Sequence, residues 1–294
     1  MGVGAVPRTQ RVCLATCEAW PELDDDGPAL RDALSAEGLE VDVRAWDSDT
    51  DWDAYDLVVI RTTWDYWDRH DAYLAWTRSV PRLANSADVV AWNTDKTYLR
   101  RLADAGIPVV PTTWIEPGQP FTPPDHPFVV KPSVSAGARD TAAYSAHDTA
   151  ALAHVERLHA KGKTVMVQPY VDAVDTEGET AVLVFGGEVS HGARKSAVLD
   201  IGAGEAALGS WSMTAREPSP AERDLARRVV EVAQGWGHDL LYARVDLLPG
   251  PTVIELEVTE PSLFLLLADG AAQRYAQAVR RWLDRCGGTA TTPS

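Results

Sequence analysis

The stretch YARVDLLPGPTVIELEVTEP, residues 242–261, decides the fold. Two β-rich runs flank a Pro-Gly turn, which reads as an antiparallel hairpin. Glu255 and Glu257 stand two apart on the second strand, so both project from one face. Asp246, on the first strand, can join them. Three carboxylates on one face repel one another and resist desolvation unless a cation neutralises them. Hard oxygen ligands in that number suit Mg²⁺, which keeps waters and completes its shell with phosphates. The competing reading is an exposed polar strand face, ordinary for a half-solvated antiparallel strand.

Upstream of this hairpin, the pattern predicts a helix from Pro220 to Trp236, a Gly/Ala/Ser loop over about Asp200–Met213, and a hairpin ETAVLVFGGEVSHGARKS turning at Gly186 and Gly187. FVVKPS, a helix over His147–Ala160 and TVMVQPYV form a β-α-β unit within 128–171. The Pro-rich EPGQPFTPPDHP, 116–127, reads as an exposed connection, and IPVVPTTWI as a strand after the helix TDKTYLRRLADAG. Nearer the N-terminus, VCLAT, a helix over Pro28–Glu37, EVDVRAW and DLVVIRT alternate, which predicts a parallel sheet flanked by helices. Downstream, an amphipathic helix spans Ala268–Arg285, and the tail GGTATTPS is expected to be disordered.

Ligands of open α/β sheets bind at the carboxyl ends of the strands. That places the acidic turn holding Asp24, Asp25 and Asp26, and the segment TTWDYWDR, beside a substrate. Asp25 is a candidate for a substrate ammonium, Arg61 or Arg69 for a carboxylate, and Trp64, Asp65 and Tyr66 for lining the same end. The alternatives are a solvated acidic helix start and ordinary surface aromatics. The turn TCEAWPELDDDG carries no GxGxxG, which excludes a plain dinucleotide fold. Lys131, between the apolar FVV and Pro132, suits a phosphate contact, and SVSAGARDT offers backbone amides from Ser133, Ser135 and Gly137.

The ordered motifs with Asp95-Lys96, VVKP, VQPYV, GETAVLVFGGE, RVDLL and IELEVTEP resemble the ATP-grasp superfamily over roughly residues 90–265. The resemblance is to bacterial glutathione synthetase and D-alanine:D-alanine ligase. VIELEVTEP is similar to the former's E-x-N-x-x-x-P segment, with Glu257 in place of the asparagine, and Arg244 with Asp246 matches the latter's R-x-D. It implies an ATP-grasp fold with an N-terminal parallel α/β lobe (1–92), a small central lid lobe (93–171) and a C-terminal lobe with a mixed or antiparallel sheet (172–294). It also implies that Lys96 and Lys131 hold ATP phosphates, Gln168, Tyr170 and Val171 the adenine, and Glu179 the ribose. Asp246, Glu255 and Glu257 would ligate Mg²⁺, and Arg244, Arg194 and Lys195 would touch the reacting phosphoryl group. The implied reaction is ADP-forming ligation through an acyl phosphate. The whole chain further resembles an actinobacterial group that includes the cycloserine-forming O-ureido-D-serine cyclo-ligase, which implies intramolecular ring closure in antibiotic biosynthesis. An intermolecular amino-acid ligase and a non-catalytic ATP-binding pseudo-enzyme are the alternatives, and a homodimer through the N-terminal lobe fits the resemblance.

Composition agrees with a small-molecule substrate. The 294 residues carry 27 basic and 43 acidic side chains, net −16, which argues against nucleic-acid or anionic-membrane surfaces. No apolar run reaches transmembrane length and no secretory signal is evident, so a cytoplasmic protein is expected. Cys13, Cys17 and Cys286 are expected to be reduced thiols. The seven histidines have no metal-ligand spacing and read as surface residues, His191 being the one near Arg194. Eleven tryptophans raise a sugar-binding or scaffold reading, but they are dispersed apart from Trp64 and Trp67.

Overall fold

A computed structural model describes residues 8–197, 199–204 and 212–287. The first sheet is parallel, in the order β2-β1-β3-β4, from β1 (Arg11–Thr16), β2 (Glu40–Ala45), β3 (Leu57–Thr62) and β4 (Leu83–Ala84). All six residues of β3 are buried. Such a strand needs covering on both faces. Leu57 and Val59 pack in a cluster with residues of α1 (Gly27–Ala36) and α8 (Ala271–Gly287), whereas Val58 and Ile60 pack beside Tyr73 and Trp76 of α2 (His70–Ser79).

The second sheet is antiparallel, β5-β8-β6-β7, from β5 (Thr113–Ile115), β6 (Phe128–Pro132), β7 (Ala142–Tyr144) and β8 (Val165–Pro169), with α5 (Ala150–Ala160) against it. The expected strand over 107–115 shrinks to β5 and an isolated bridge from Val109 to Val253. Pro108 and Pro111 lack the N–H that a continuous ladder requires.

The third sheet runs β11-β10-β9-β12-β13, antiparallel throughout: β9 (Glu179–Phe185), β10 (Glu188–Lys195), β11 (Met213–Arg216), β12 (Tyr242–Leu248) and β13 (Thr252–Glu257). The hairpin at Gly186 and Gly187 is present, both with positive φ. The short helix α6 (Ala173–Glu177) leads into β9. The helix α7 (Pro220–Gln234) opens with Ser219 and Glu222 in a capping box and Pro220 in its first turn, which fixes its start. Residues 205–211 of the Gly/Ala/Ser loop and 288–294 of the tail lie outside the described residues.

Elements within 70–93 have no counterpart in the sequence reading: α2, the two-residue β4, and α3 (Ala87–Asn93), followed by α4 (Tyr98–Asp104) where a helix was expected. They tie the first sheet to the third through buried side chains. Asn85 Nδ2 donates to Tyr242 O at 3.0 Å and Val258 O at 2.7 Å, and its Oδ1 accepts from Leu241 N at 2.7 Å. Asn93 Nδ2 donates to Leu256 O at 2.7 Å, and its Oδ1 accepts from Val258 N at 2.9 Å. The two amides thus satisfy backbone groups on either side of the acidic strand.

Candidate active site

The register of β12 and β13 sets Asp246 opposite Glu255 and Arg244 opposite Glu257. One carboxylate oxygen from each of Asp246, Glu255 and Glu257 falls within 4.8 Å of the other two, the geometry expected of a divalent-cation cradle. The Asp246 side chain is 0% exposed, while those of Glu255 and Glu257 remain 26% and 25% exposed and open toward an incoming ligand.

Four cations enclose these acids. Arg244 grips Asp246 in a fork, Nε to Oδ1 and Nη2 to Oδ2 at 2.9 Å each, and also bonds Glu257. Lys195 Nζ lies 2.6 Å from Asp246 and 2.7 Å from Glu179. Its backbone is held close: Gly178 has φ +71, and a Cβ there would stand 2.3 Å from Lys195 O, so only glycine fits. Lys96 Nζ reaches Glu255 at 3.1 Å and Ser135 O at 2.8 Å, tying α4's start to the 133–141 loop. Lys131, on β6, is buried and has no ion pair of its own among the described residues.

The charges divide accordingly. Burial by itself would raise Asp246, but Arg244 and Lys195 hold it well below the ordinary carboxylate range. Burial opposes Glu255 too, and Lys96 and Lys131 pull it down. Glu257 goes the other way: burial pushes it up to about 8 against the attraction of Arg244, with Glu255 and Asp246 adding repulsion. Burial lowers Lys131 to about 8, which Glu255 only partly offsets while Lys96 repels it. A site in which crowding by Glu255 and Asp246 adds to the burial of Glu257 and in which Lys131 has no ion pair among the described residues suits a divalent ion and a polyanion arriving together.

The remaining expected residues separate into groups. Ser133, Ser135 and Gly137 lie in the loop beside Lys96, with Ser133 O accepting from Lys96 N at 2.8 Å and Gly137 exposed at φ +63. Gln168 is buried at the end of β8 and donates to Thr112 Oγ1 at 2.9 Å, next to Tyr170, whose N donates to Pro127 O at 2.9 Å, and Val171, which is half-buried. Glu179 joins Lys195. Arg194 is not brought to the acids: strand alternation turns it away from Lys195, and its guanidinium bonds Glu177 O at 2.6 Å and Thr176 O at 2.8 Å. At the first sheet, Trp64 Nε1 donates to Glu260 O at 3.0 Å, Tyr66 is buried against the Glu260 carboxyl, and Asp65 accepts from Trp46 Nε1 at 2.8 Å. Asp25 is exposed, whereas Asp24 is the acid within electrostatic reach of the buried Arg61.

Two histidines depart from the surface reading. His154 and His191 are buried, because each finds backbone acceptors: His154 Nε2 meets Asp140 O at 3.1 Å, and His191 Nε2 meets Leu263 O at 2.9 Å. The sequence reading missed Glu260, whose carboxyl burial raises to about 7 against the Tyr66 hydrogen bond and Lys96. Its signal was the third acid of ELEVTE. Cys13 and Cys17 are buried, Cys286 is exposed, and none of the three is in a disulfide among the described residues, as expected. No helix among the described residues is long and apolar enough to cross a membrane.

Comparison with known proteins agrees with this geometry. Residues 12–85 match the family described as D-cycloserine synthetase DcsG, N-terminal domain. Over 282 residues the chain is 34% identical to the cycloserine biosynthesis protein DcsG of Streptomyces lavendulae, covering 87% of this chain and 93% of that protein. The crystal structure of D-cycloserine synthetase DcsG matches with a TM-score of 0.84 and 32% identity, over 93% of this chain and 99% of that one. A D-alanine--D-alanine ligase from Bacillus anthracis, 13% identical with a TM-score of 0.65 over 96% and 100% of the two chains, shares the fold. With that identity and coverage over nearly its whole length, the chain belongs to the DcsG family and is an ATP-dependent ligase of the ATP-grasp fold.

Proposed function

We propose that this ligase closes a ring within one molecule, activating the carboxylate of O-ureido-D-serine as an acyl phosphate that a nitrogen of the same molecule captures, on the way to D-cycloserine. The observation that carries the reading is the Asp246, Glu255 and Glu257 cradle enclosed by Arg244, Lys195 and Lys96, joined with the relative's stated role in cycloserine biosynthesis.

Asp246, Glu255 and Glu257 would hold Mg²⁺, which when bound neutralises charge between the terminal phosphates. The chain's own residues do the remainder. Lys131, buried and without an ion pair among the described residues, offers its ammonium to a phosphate oxygen. Lys96 carries Ser135 with it, so its placement also positions the 133–141 loop over the phosphates. Arg244, clamped by Asp246 and Glu257, is fixed in direction before substrate arrives, so stabilising a developing oxyanion costs little reorganisation. Gln168, Tyr170 and Val171, at the exit of β8, form the adenine edge. The pocket keeps water from the acyl phosphate by burying Tyr66 and Glu260 at its first-sheet wall. The reading also takes in a homodimer through the N-terminal lobe.

The test is ADP release with Mg-ATP across a panel of amino acids that includes O-ureido-D-serine, with mass spectrometry of the products. A cyclised product from O-ureido-D-serine alone supports the reading, and turnover only with paired amino acids would replace it with intermolecular ligation. For the cradle, Glu255→Gln is expected to raise the Mg²⁺ concentration for half-maximal rate by about 10-fold or more and to lower kcat. An unchanged Mg²⁺ titration would remove Glu255 from the metal.

A further inference from the structure

Among the described residues, Arg61 is the largest fully buried side chain, 1% exposed, and neither of its terminal nitrogens Nη1 and Nη2 has a hydrogen-bond partner. It is the penultimate residue of β3, at the carboxyl end of the parallel sheet, where the register against β1 passes from Ile60 to Thr62 and leaves it unpaired, and it lies within electrostatic reach of Tyr242 and Tyr275 of the otherwise apolar cluster that holds Leu57 and Val59. A guanidinium cannot shed its charge, so burial without an acceptor is among the costliest arrangements a fold can hold. Nearby stands a second orphan, the Tyr275 hydroxyl of α8, itself 0% exposed. Both orphans are donors without acceptors.

The neighbouring groups do not discharge Arg61. Asp24, in the connection between β1 and α1, is within electrostatic reach, but burial raises its carboxyl and it forms no ion pair with Arg61 among the described residues. Asp26 is committed to Leu266 N at 3.1 Å, and the Tyr242 hydroxyl to Thr259 O at 2.8 Å. Arg244 lies two residues beyond Tyr242 on β12, on the same strand face, and the Tyr242 hydroxyl also donates to Ile60 O at 3.2 Å, next to Arg61 in the chain.

We propose that Arg61 and the Tyr275 hydroxyl form a specificity subsite that takes the planar, oxygen-bearing end of the substrate remote from the phosphorylated carboxylate, with Asp24 receiving that group's N–H. The inference rests on the cyclisation reading for the identity of that end, which is then the ureido group: its carbonyl oxygen accepts from Arg61 and its amide nitrogens donate to Asp24. Tyr242, bonded to the backbone beside Arg61 and two residues before Arg244, joins the subsite to the strand that carries the cation facing the acids. Because Arg61 is closed from solvent, the ligand enters by displacing the 17–26 connection that carries Asp24.

The experiment compares wild type with Arg61→Met and Arg61→Lys, measuring melting of the ligand-free protein and steady-state kinetics. A residue kept for binding rather than folding leaves Arg61→Met more stable, with a Tm higher by about 3 °C, since an unpaired charge gives way to an apolar side chain of similar length. Its KM for O-ureido-D-serine should rise about 100-fold, with KM for ATP within about twofold of wild type and Arg61→Lys intermediate. A lower Tm with an unchanged KM would make Arg61 structural and overturn the inference. The melting comparison needs no substrate. Should wild type ignore O-ureido-D-serine and turn over another amino acid, the cyclisation reading fails, and the KM of Arg61→Met for that amino acid tests the subsite alone.

Discussion

Lys131→Met is expected to weaken ATP binding and turnover by about 10²–10³-fold while leaving the melting temperature unchanged or raised. Lys131 is buried at the end of β6 and faces a field set by Glu255, Glu179, Lys96 and Lys195, without an ion pair of its own. The cost of burying its charge is therefore only partly compensated in the free protein, by Glu255 and Glu179, and a polyphosphate supplies what is lacking. Methionine keeps the length and removes the charge, so binding loss separates from unfolding. The pH dependence provides a second readout. Burial brings the free Lys131 to about 8, so apparent ATP affinity should hold at neutral pH and weaken as pH rises through that value. Isothermal titration of ATP across the range would show that inflection in wild type and a smaller one in Lys131→Arg, whose guanidinium stays charged and leaves Glu257, also pushed up to about 8, to titrate there. Normal ATP affinity in Lys131→Met would remove the residue from the phosphate site.

Asp246→Asn should be both inactive and less stable, with kcat down by about 10³-fold and unfolding free energy reduced by about 3–5 kcal/mol. Asp246 is the shared acceptor of Arg244 and Lys195 and is fully shielded from water, so its charge is not screened. An amide leaves two buried cations facing each other. The sign of the pH effect is fixed by the direction of its shift: Asp246 is held below its ordinary value of 3.8, so its stabilisation is complete above that value and is lost as pH falls toward about 2. Urea unfolding of the variant at neutral pH checks the first part, and ADP release the second. An unchanged unfolding midpoint would mean that Arg244 and Lys195 are held by Glu257 and Glu179 alone.

The acidic cradle was legible because strand periodicity is short-range: two glutamates at i and i+2 on a strand share a face whatever the rest of the chain does. That Asp246 could join them followed from the Pro-Gly hairpin, but its pairing with Glu255 is set by a register shift between Asp246 and Leu247. Lys131 was legible for a similar reason, as a charge set into an apolar run. Arg194 was not. Its neighbour Lys195 is the one that faces the acids, and which of two adjacent basic residues points inward depends on the phase of β10, in a strand whose register against β9 shifts between Val189 and His191. His154 and His191 escaped for the same kind of reason, since their acceptors are carbonyls 14 and 72 residues distant in sequence. Asn85 and Asn93 carry no local sign of their task, because the backbone groups they satisfy belong to β12 and β13 more than 150 residues away.

The sequence by itself determined the alternation of elements, the carboxylate trio on β13 and β12, and the ordered motifs that mark an ATP-grasp ligase, because each depends on spacing within a few residues or on order along the chain. Only the tertiary structure decided which cations meet those acids, that Glu257 and Glu260 are pushed upward while Asp246 is held down, and that Arg61 is sealed in without a partner. Those outcomes are sums over groups brought together from three sheets, and burial, which sets their sign, is a property of the packed molecule rather than of any segment.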